Sequence, residues 1–215
     1  MDFALFRDIL QTRRSIREFT QEPVSISDIE DLIDCARYAP SDTNSQTWEF
    51  IVVMNADKIK QIEDFTWASL HEIAARATEQ GKDREAKLLV KSFGPYATAF
   101  SGAPALIVVL STPYTSKFRE RIFDPISFVT PEIWEEEGLK SSCLAAQNLM
   151  LAAHAKGLAT CPMTGPVLLA EDKLREFLNI PADRGVNMVI ALGHPAISPK
   201  PVPRKDVSEI LRIVE

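Results

Sequence analysis

Apolar residues recur along much of this chain at the three- and four-residue spacing of helices. Phe3, Phe6 and Leu10 share one face over residues 2–12, which predicts an amphipathic first helix. Residues 139–156 are apolar on nearly every side, a pattern typical of a buried central helix. The same reasoning predicts further helices between Ser27 and Pro40 and over residues 58–80, 83–93 and 171–178.

Four shorter apolar runs lack helical spacing and predict buried strands. They are residues 50–53, 105–110, 158–161 and 186–192. The strands do not alternate regularly with the helices, as they do in a doubly wound parallel sheet. No repeat or linker divides the chain. The pattern therefore favours the α+β fold class, with residues 1–215 in a single domain.

Two irregular stretches are predicted to lie on the surface. Residues 111–135 are punctuated by prolines, and we interpret them as a substrate flap. Their aromatic residues are expected either to line a pocket or to pack the flap onto the core: Phe118, Phe123, Phe128 and Trp134. Residues 198–215 end in an apolar run, and a tail that stayed in solvent would have no use for apolar side chains. We therefore predict that this tail docks on another subunit.

Composition narrows the classes of protein that remain. The chain is 46% hydrophobic and 25% charged, which excludes intrinsic disorder. Its net charge of −6 argues against binding nucleic acid or anionic membranes in general. The longest apolar run, residues 103–110, is too short to span a membrane, and no signal-peptide pattern is visible. The three cysteines are far apart and fit a reduced setting, so we expect a soluble cytoplasmic protein.

Several common catalytic motifs are absent from the sequence. No two of the eight glycines are separated by a single residue, which rules out a Gly-x-Gly-x-x-Gly dinucleotide turn. The three histidines lack the spacing of metal ligands, and there is no Cys-x-x-Cys pair, so no metal site is predicted. The protein therefore lacks the usual parts of a self-sufficient hydrolase or metalloenzyme.

Four polar or basic segments are candidates for ligand binding. Residues 13–17, Arg-Arg-Ser-Ile-Arg, offer guanidinium groups that match a phosphate, although a solvated basic turn has the same composition. Residues 39–48 carry small polar side chains that could hydrogen-bond to a polar ring system. The same composition is found in a capped loop without a ligand. Residues 161–166 hold a glycine between two prolines, which fixes backbone N–H groups. Residues 200–205 return positive charge near the C-terminus.

Taken in this order, the four segments resemble the FMN-dependent nitroreductase family. The specific part is R-R-S-x-R-x-F at residues 13–19 followed by A-P-S-x-x-N-x-Q-x-W at residues 39–48. A P-x-x-G loop at residues 162–165 and a late basic residue complete the pattern. The resemblance implies a nitroreductase-like fold, in which helices flank a mostly antiparallel central sheet. It also implies an intertwined homodimer whose termini exchange between subunits.

The resemblance further implies a set of cofactor-binding residues. Arg13, helped by Ser15 and Arg204, is expected at the FMN phosphate, and Arg17 at the pyrimidine edge of the flavin. Thr164 and Gly165 are expected to direct backbone N–H groups at flavin N5 and O4. The partner subunit is expected to supply Pro40, Ser41 and Asn44. The full set is Arg13, Arg14, Ser15, Arg17, Pro40, Ser41, Asn44, Pro162, Met163, Thr164, Gly165 and Arg204.

The activity that this resemblance implies is carried by the flavin rather than by a catalytic side chain. NAD(P)H would donate hydride, and a small-molecule acceptor such as a nitroaromatic or a quinone would receive it in a ping-pong scheme through N5. Two alternatives stay open. The same fold serves other flavin reactions, such as ene reduction or dehalogenation, and a non-catalytic module for flavin storage would carry the same motifs.

Overall fold

The computed structural model describes residues 2–215, so Met1, the first residue of the predicted domain, lies outside the described residues. Its centre is a sheet of four strands in the order β1-β2-β4-β3, in which each pair is antiparallel. The strands are β1 (Trp48–Val53), β2 (Ala105–Ser111), β3 (Ala159–Met163) and β4 (Gly185–Gly193). The antiparallel pairing confirms the predicted α+β class.

Eight α-helices surround this sheet in the described part of the chain. They are α1 (Phe3–Thr12), α2 (Ile26–Ala36), α3 (Ala56–Glu79), α4 (Asp83–Leu88), α5 (Gly94–Ala97), α6 (Pro131–Ala155), α7 (Gly165–Leu178) and α8 (Val207–Ile210). The π-helical turn Leu89–Phe93 joins α4 directly to α5, while a second π-helical turn, Arg119–Phe123, and a 3-10 turn, Asp42–Asn44, lie in loops. No helix among residues 2–215 is long and apolar enough to cross a membrane.

Strand β2 is buried along its whole length because helices cover both faces of the sheet. Alternate side chains of a strand point to opposite faces. Accordingly, Leu106 and Val108 pack with α3 and α7, whereas Ile107 and Val109 pack with α2 and α6. The sheet is therefore the middle layer of three, and its edges are the places where further polar segments can attach.

Helix α6 is longer than its apolar pattern predicts. It begins at Pro131 rather than at residue 139, after an extended N-cap residue, Thr130. Proline is favoured in the first turn of a helix because its missing N–H would have no partner there. The first two turns include the run Glu135–Glu137, so they carry no apolar stripe for the sequence pattern to detect. Helix α7 likewise begins at Gly165, six residues before the predicted residue 171.

Both ends of the chain expose apolar side chains. Helix α1 buries none of its residues, and Phe3 is 71% exposed. The tail after residue 198 is almost fully exposed, with Ile213 at 73% and Val214 at 81%. Exposed apolar residues grouped in this way are typical of surfaces that bind another molecule.

Candidate functional site

The basic segment lies along the edge of the sheet, beside β3. Ser15 forms a parallel bridge with Thr160, and the Ile16 N–H donates to the Thr160 carbonyl over 3.1 Å. Ile16 is buried, and side chains alternate along extended backbone. Ser15 and Arg17 are exposed on either side of Ile16, and Arg13 is partly buried.

Arg13 is a partly desolvated cation without an anion. Its Nη1 atom is buried and finds no hydrogen-bond partner among residues 2–215. Burial lowers the pKa of Arg13, and the charges of Arg204 and Arg14 lower it further, while Cys161 opposes them slightly. A buried guanidinium among like charges is unfavourable unless an anion joins it. The chemistry of this donor set fits a phosphate group.

The C-terminal segment reaches the same place within one protomer. Arg204 lies close enough to Arg13 for its charge to lower the pKa of Arg13. The Arg204 side chain is exposed and donates only to the adjacent Pro203 carbonyl, over 3.3 Å. Arg14 Nε is also buried without a partner among the described residues. The structure thus brings the predicted residues Arg13, Arg14 and Arg204 together.

The predicted P-x-x-G loop follows β3 and opens α7. Pro162 and Met163 are the last residues of the strand, and Thr164 is the N-cap residue of the helix. Gly165 packs so closely on α5 that a Cβ atom there would lie 2.7 Å from the Cα atom of Ala97. Only glycine fits here without moving the backbone, so the first turn of α7 lies directly against α5.

Arg17, the last residue of the basic segment, reaches α5. Its guanidinium is over the Tyr96 ring, 5.0 Å from the ring centroid.

Burial raises the pKa of the Cys161 thiol, and the nearby Arg17 and Arg13 offset part of that rise. A buried thiol held in its neutral form is a packing residue rather than a nucleophile.

The polar loop before β1 is strained. Thr43, Asn44 and Gln46 have φ angles of 48°, 56° and 50°, which non-glycine residues adopt at a cost of ~1–3 kcal/mol each. The Ser41 hydroxyl accepts a hydrogen bond from the Gln46 N–H over 2.9 Å, which closes the loop. Strain of this kind is concentrated at functional sites.

Sequence reasoning missed the residue that ties this loop to the flap. The hydroxyl groups of Thr43 and Tyr114 are 3.3 Å apart, and Tyr114 is buried. Tyr114 stacks on Trp134, with ring centroids 5.8 Å apart, and Phe123 contacts the same indole. Trp134 and Phe123 therefore pack the flap together, whereas Phe118 is 67% exposed. No local pattern marks Tyr114, because this contact forms only in the folded chain.

Within one protomer the polar loop and the basic segment do not meet. The loop precedes β1 at one edge of the sheet, and residues 13–17 lie beside β3 at the other edge. Three strand spacings separate the two edges, roughly 14 Å across the sheet. Pro40, Ser41 and Asn44 are therefore remote from Arg13 in the same chain.

A sequence model of the Nitroreductase family matches residues 10–194. The chain belongs to the nitroreductase family. The nitrobenzene nitroreductase of Ectopseudomonas oleovorans is 31% identical over 205 residues, covering 86% of this chain and 85% of the relative. The iodotyrosine deiodinase of Nematostella vectensis is 26% identical over 212 residues, covering 97% of this chain and 74% of the relative. The protein is accordingly an oxidoreductase.

Solved structures confirm the nitroreductase fold. A BluB-like flavoprotein from Clostridium difficile 630 matches 100% of this chain and 100% of its own, with a TM-score of 0.85 and 25% sequence identity. The predicted family and the predicted fold are both confirmed. Among residues 2–215, no three His, Cys, Asp or Glu side chains are grouped closely enough to hold a metal ion.

Proposed function

We propose that this nitroreductase-family protein binds FMN between two subunits and transfers hydride from NAD(P)H to a small-molecule acceptor such as a nitroaromatic or a quinone. The observation that carries the proposal is the partly buried Arg13 guanidinium, whose Nη1 atom has no hydrogen-bond partner among residues 2–215, beside Arg14 and Arg204. When bound, FMN would supply the redox chemistry, and the protein would bind, orient and shield it.

The basic segment is long enough for the phosphate and the ring system of one FMN molecule to bind at its two ends. Residues 13–17 are not helical, and four residues of extended backbone would span roughly 13 Å. The bridge between Ser15 and Thr160 fixes the middle of the segment against β3, and the Arg17 side chain reaches Tyr96 on α5, the helix that packs against Gly165. The phosphate would therefore bind at Arg13 and the ring system near Arg17 and the start of α7, with a ribityl chain between them.

Each group along this line has a distinct task. Arg13, Ser15 and Arg204 hold the phosphate by charge-assisted hydrogen bonds. Arg17 places a fixed positive charge where a reduced flavin carries negative charge, which favours the reduced form. Backbone N–H groups at Thr164 and Gly165 orient the reactive edge of the ring.

The second subunit completes the site in this proposal. The strained loop is at the opposite sheet edge from Arg13, so Pro40, Ser41 and Asn44 contribute only if they come from a partner. The exposed apolar residues of α1 and of the tail provide the surface for that association. A homodimer with two equivalent sites follows from the symmetry of such an exchange.

The direct test of FMN binding is the visible spectrum of the purified protein. We expect the absorption bands of a flavin, and release of FMN rather than FAD or riboflavin on denaturation. If the protein purifies without flavin, the apoprotein should recover those bands when FMN is added. A colourless protein that binds no added FMN contradicts the proposal.

Substituting Arg17 tests its role in setting the flavin potential. We expect Arg17→Ala to lower the two-electron reduction potential by roughly 20–60 mV, equivalent to ~1–3 kcal/mol, because the reduced form loses a nearby positive charge. Spectroelectrochemical titration measures this shift. Arg37→Ala is the matched control, because Arg37 pairs with Asp34 on the exposed side of α2. An unchanged potential in Arg17→Ala would remove Arg17 from the ring site.

Reductive dehalogenation is the second candidate function, because an iodotyrosine deiodinase is among the relatives. Anaerobic turnover with NADPH separates the candidates: loss of a nitroaromatic supports the first, and release of halide from a halophenol supports the second. Stopped-flow mixing with NADH and NADPH also tests the storage alternative. A flavin that neither nicotinamide reduces would identify a non-catalytic module.

A further inference from the structure

The polar loop before β1 is joined to the flap at two points. The Thr112 N–H donates to the Thr47 carbonyl over 3.4 Å, which continues the pairing of β1 with β2 by one residue. The second point lies beyond the sheet, where the hydroxyl groups of Thr43 and Tyr114 are 3.3 Å apart. A buried tyrosine hydroxyl usually has a hydrogen-bond partner. Tyr114 is 4% exposed, and among the described residues Thr43 is that partner.

Tyr114 belongs to a packed unit at the base of the flap. Its ring stacks on Trp134, with ring centroids 5.8 Å apart, and the Arg119 guanidinium is 5.3 Å from the Trp134 ring centroid. Arg119 also donates from Nη1 to the Tyr114 carbonyl, and Phe123 contacts the same indole. Because these four residues pack on one another, the position of the Tyr114 hydroxyl depends on how the flap is folded.

The loop side of this contact has an unfavourable conformation. Thr43 has a φ angle of 48°, which is an outlier for a β-branched residue. Thr47 is 3% exposed, and its hydroxyl has no hydrogen-bond partner among residues 2–215. The buried Ser45 hydroxyl has none there either. A conformation of this kind persists only where the surrounding structure over-determines it. The Tyr114 hydroxyl is the flap group that contacts the outlier itself.

We propose that Tyr114 is a positioning residue that couples the flap to FMN binding. Its hydroxyl holds Thr43, and with it the adjoining Asn44, in the conformation that contacts the flavin of the partner subunit. The inference rests on the proposed function, because Asn44 must reach that flavin. Coupling between two events is reciprocal. FMN bound at the loop therefore stabilises the folded flap, and an acceptor that orders the flap tightens FMN binding.

Limited digestion with trypsin tests the state of the flap, because Lys117 and Arg121 are exposed there. Cleavage after these residues is followed by mass spectrometry, with and without saturating FMN. We expect FMN to slow this cleavage at least about fivefold in the wild type, at the lower end of common coupling factors. Tyr114→Phe removes the hydroxyl and keeps the ring on Trp134. In this variant, saturating FMN should slow cleavage less than about twofold.

A double-mutant cycle on FMN affinity tests the contact itself. Tyr114→Phe and Thr43→Val each remove one hydroxyl, so each should weaken FMN binding about three- to tenfold. The two together should cause no further loss, because both break the same contact. Thr66→Val is the matched control, since it removes a buried hydroxyl that donates to the Ile62 carbonyl within α3. This control should keep the FMN affinity and the FMN protection of the wild type.

Three results would overturn the inference while leaving FMN binding intact. The first is a wild-type protein that binds FMN without slower cleavage of the flap. The second is full FMN protection in Tyr114→Phe, since the hydroxyl would then serve only the stability of the fold. The third is a double variant whose loss of FMN affinity equals the product of the two single losses. A wild-type protein that binds no FMN would instead contradict the proposed function itself.

Discussion

Replacing Arg13 with alanine is expected to weaken FMN binding by ~1.5–3 kcal/mol, or roughly 10- to 150-fold, the usual value of a charge-assisted contact. The variant removes a partly buried guanidinium that pairs with no carboxylate in the described part of the chain. Fluorescence titration of the apoprotein measures the loss. The melting temperature gives an independent reading, since the stabilisation by a fixed FMN concentration falls with affinity.

The apoprotein of this variant should remain folded. Arg13 is desolvated and is repelled by Arg14 and Arg204, so its removal should leave the melting temperature of the apoprotein unchanged or raise it. Arg37→Ala controls for the loss of one surface charge. Full FMN affinity in Arg13→Ala would show that the phosphate binds elsewhere.

Deleting residues 198–215 is expected to reduce FMN affinity more than Arg13→Ala does, and also to prevent dimerisation. No side chain of the tail is buried in its own protomer, but the tail carries Arg204 and a set of exposed apolar side chains: Val207, Ile210, Leu211, Ile213 and Val214. Burying a side chain of this size contributes ~1.5–3 kcal/mol. We therefore expect the truncated chain to be monomeric and to lose FMN affinity by more than about 100-fold. Light scattering after gel filtration and flavin titration measure the two effects.

Arg204→Ala separates the two roles of the tail. It removes the charge near Arg13 and keeps the apolar residues, so it should remain dimeric and bind FMN more weakly than the wild type. A truncated chain that stays dimeric and retains full FMN affinity would show that the tail docks on nothing the site requires.

The sequence predicts the sheet well because burial alone defines its strands. All four strands are within two residues of their predicted bounds. The apolar pattern does not predict the start of α6, because Glu135 and its neighbours show no apolar stripe. Pro131 after Thr130 is a sequence signal that would have predicted it. The start of α7 was missed for a different reason. Gly165 and Pro166 are typical of loops, and here close packing on Ala97 selects the glycine.

The candidate site could be predicted only in part from the sequence. Arg13, Arg14 and Arg204 come together as expected, although 190 residues separate Arg14 from Arg204 in the chain. The left-handed backbone at Asn44 and the contact between Thr43 and Tyr114 left no local signal, because both depend on tertiary structure. The supply of Pro40–Asn44 by a partner subunit was implied by the resemblance and stays a prediction.

The composite site can be tested most directly with heterodimers of two deficient chains. One chain carries Arg13→Ala, and the other carries Asn44→Asp, which preserves side-chain size and tolerates a positive φ. Each homodimer alone should bind FMN weakly. Coexpression with two different affinity tags and tandem purification yields the mixed dimer.

If the loop acts on the partner's flavin, one site of this mixed dimer combines an intact Arg13 with an intact Asn44 from the other chain. Flavin titration should then show one FMN bound per dimer with wild-type affinity, beside one site weakened twice. If each site is built from a single chain, both sites carry one substitution. A mixed dimer without any wild-type site would contradict the composite FMN site.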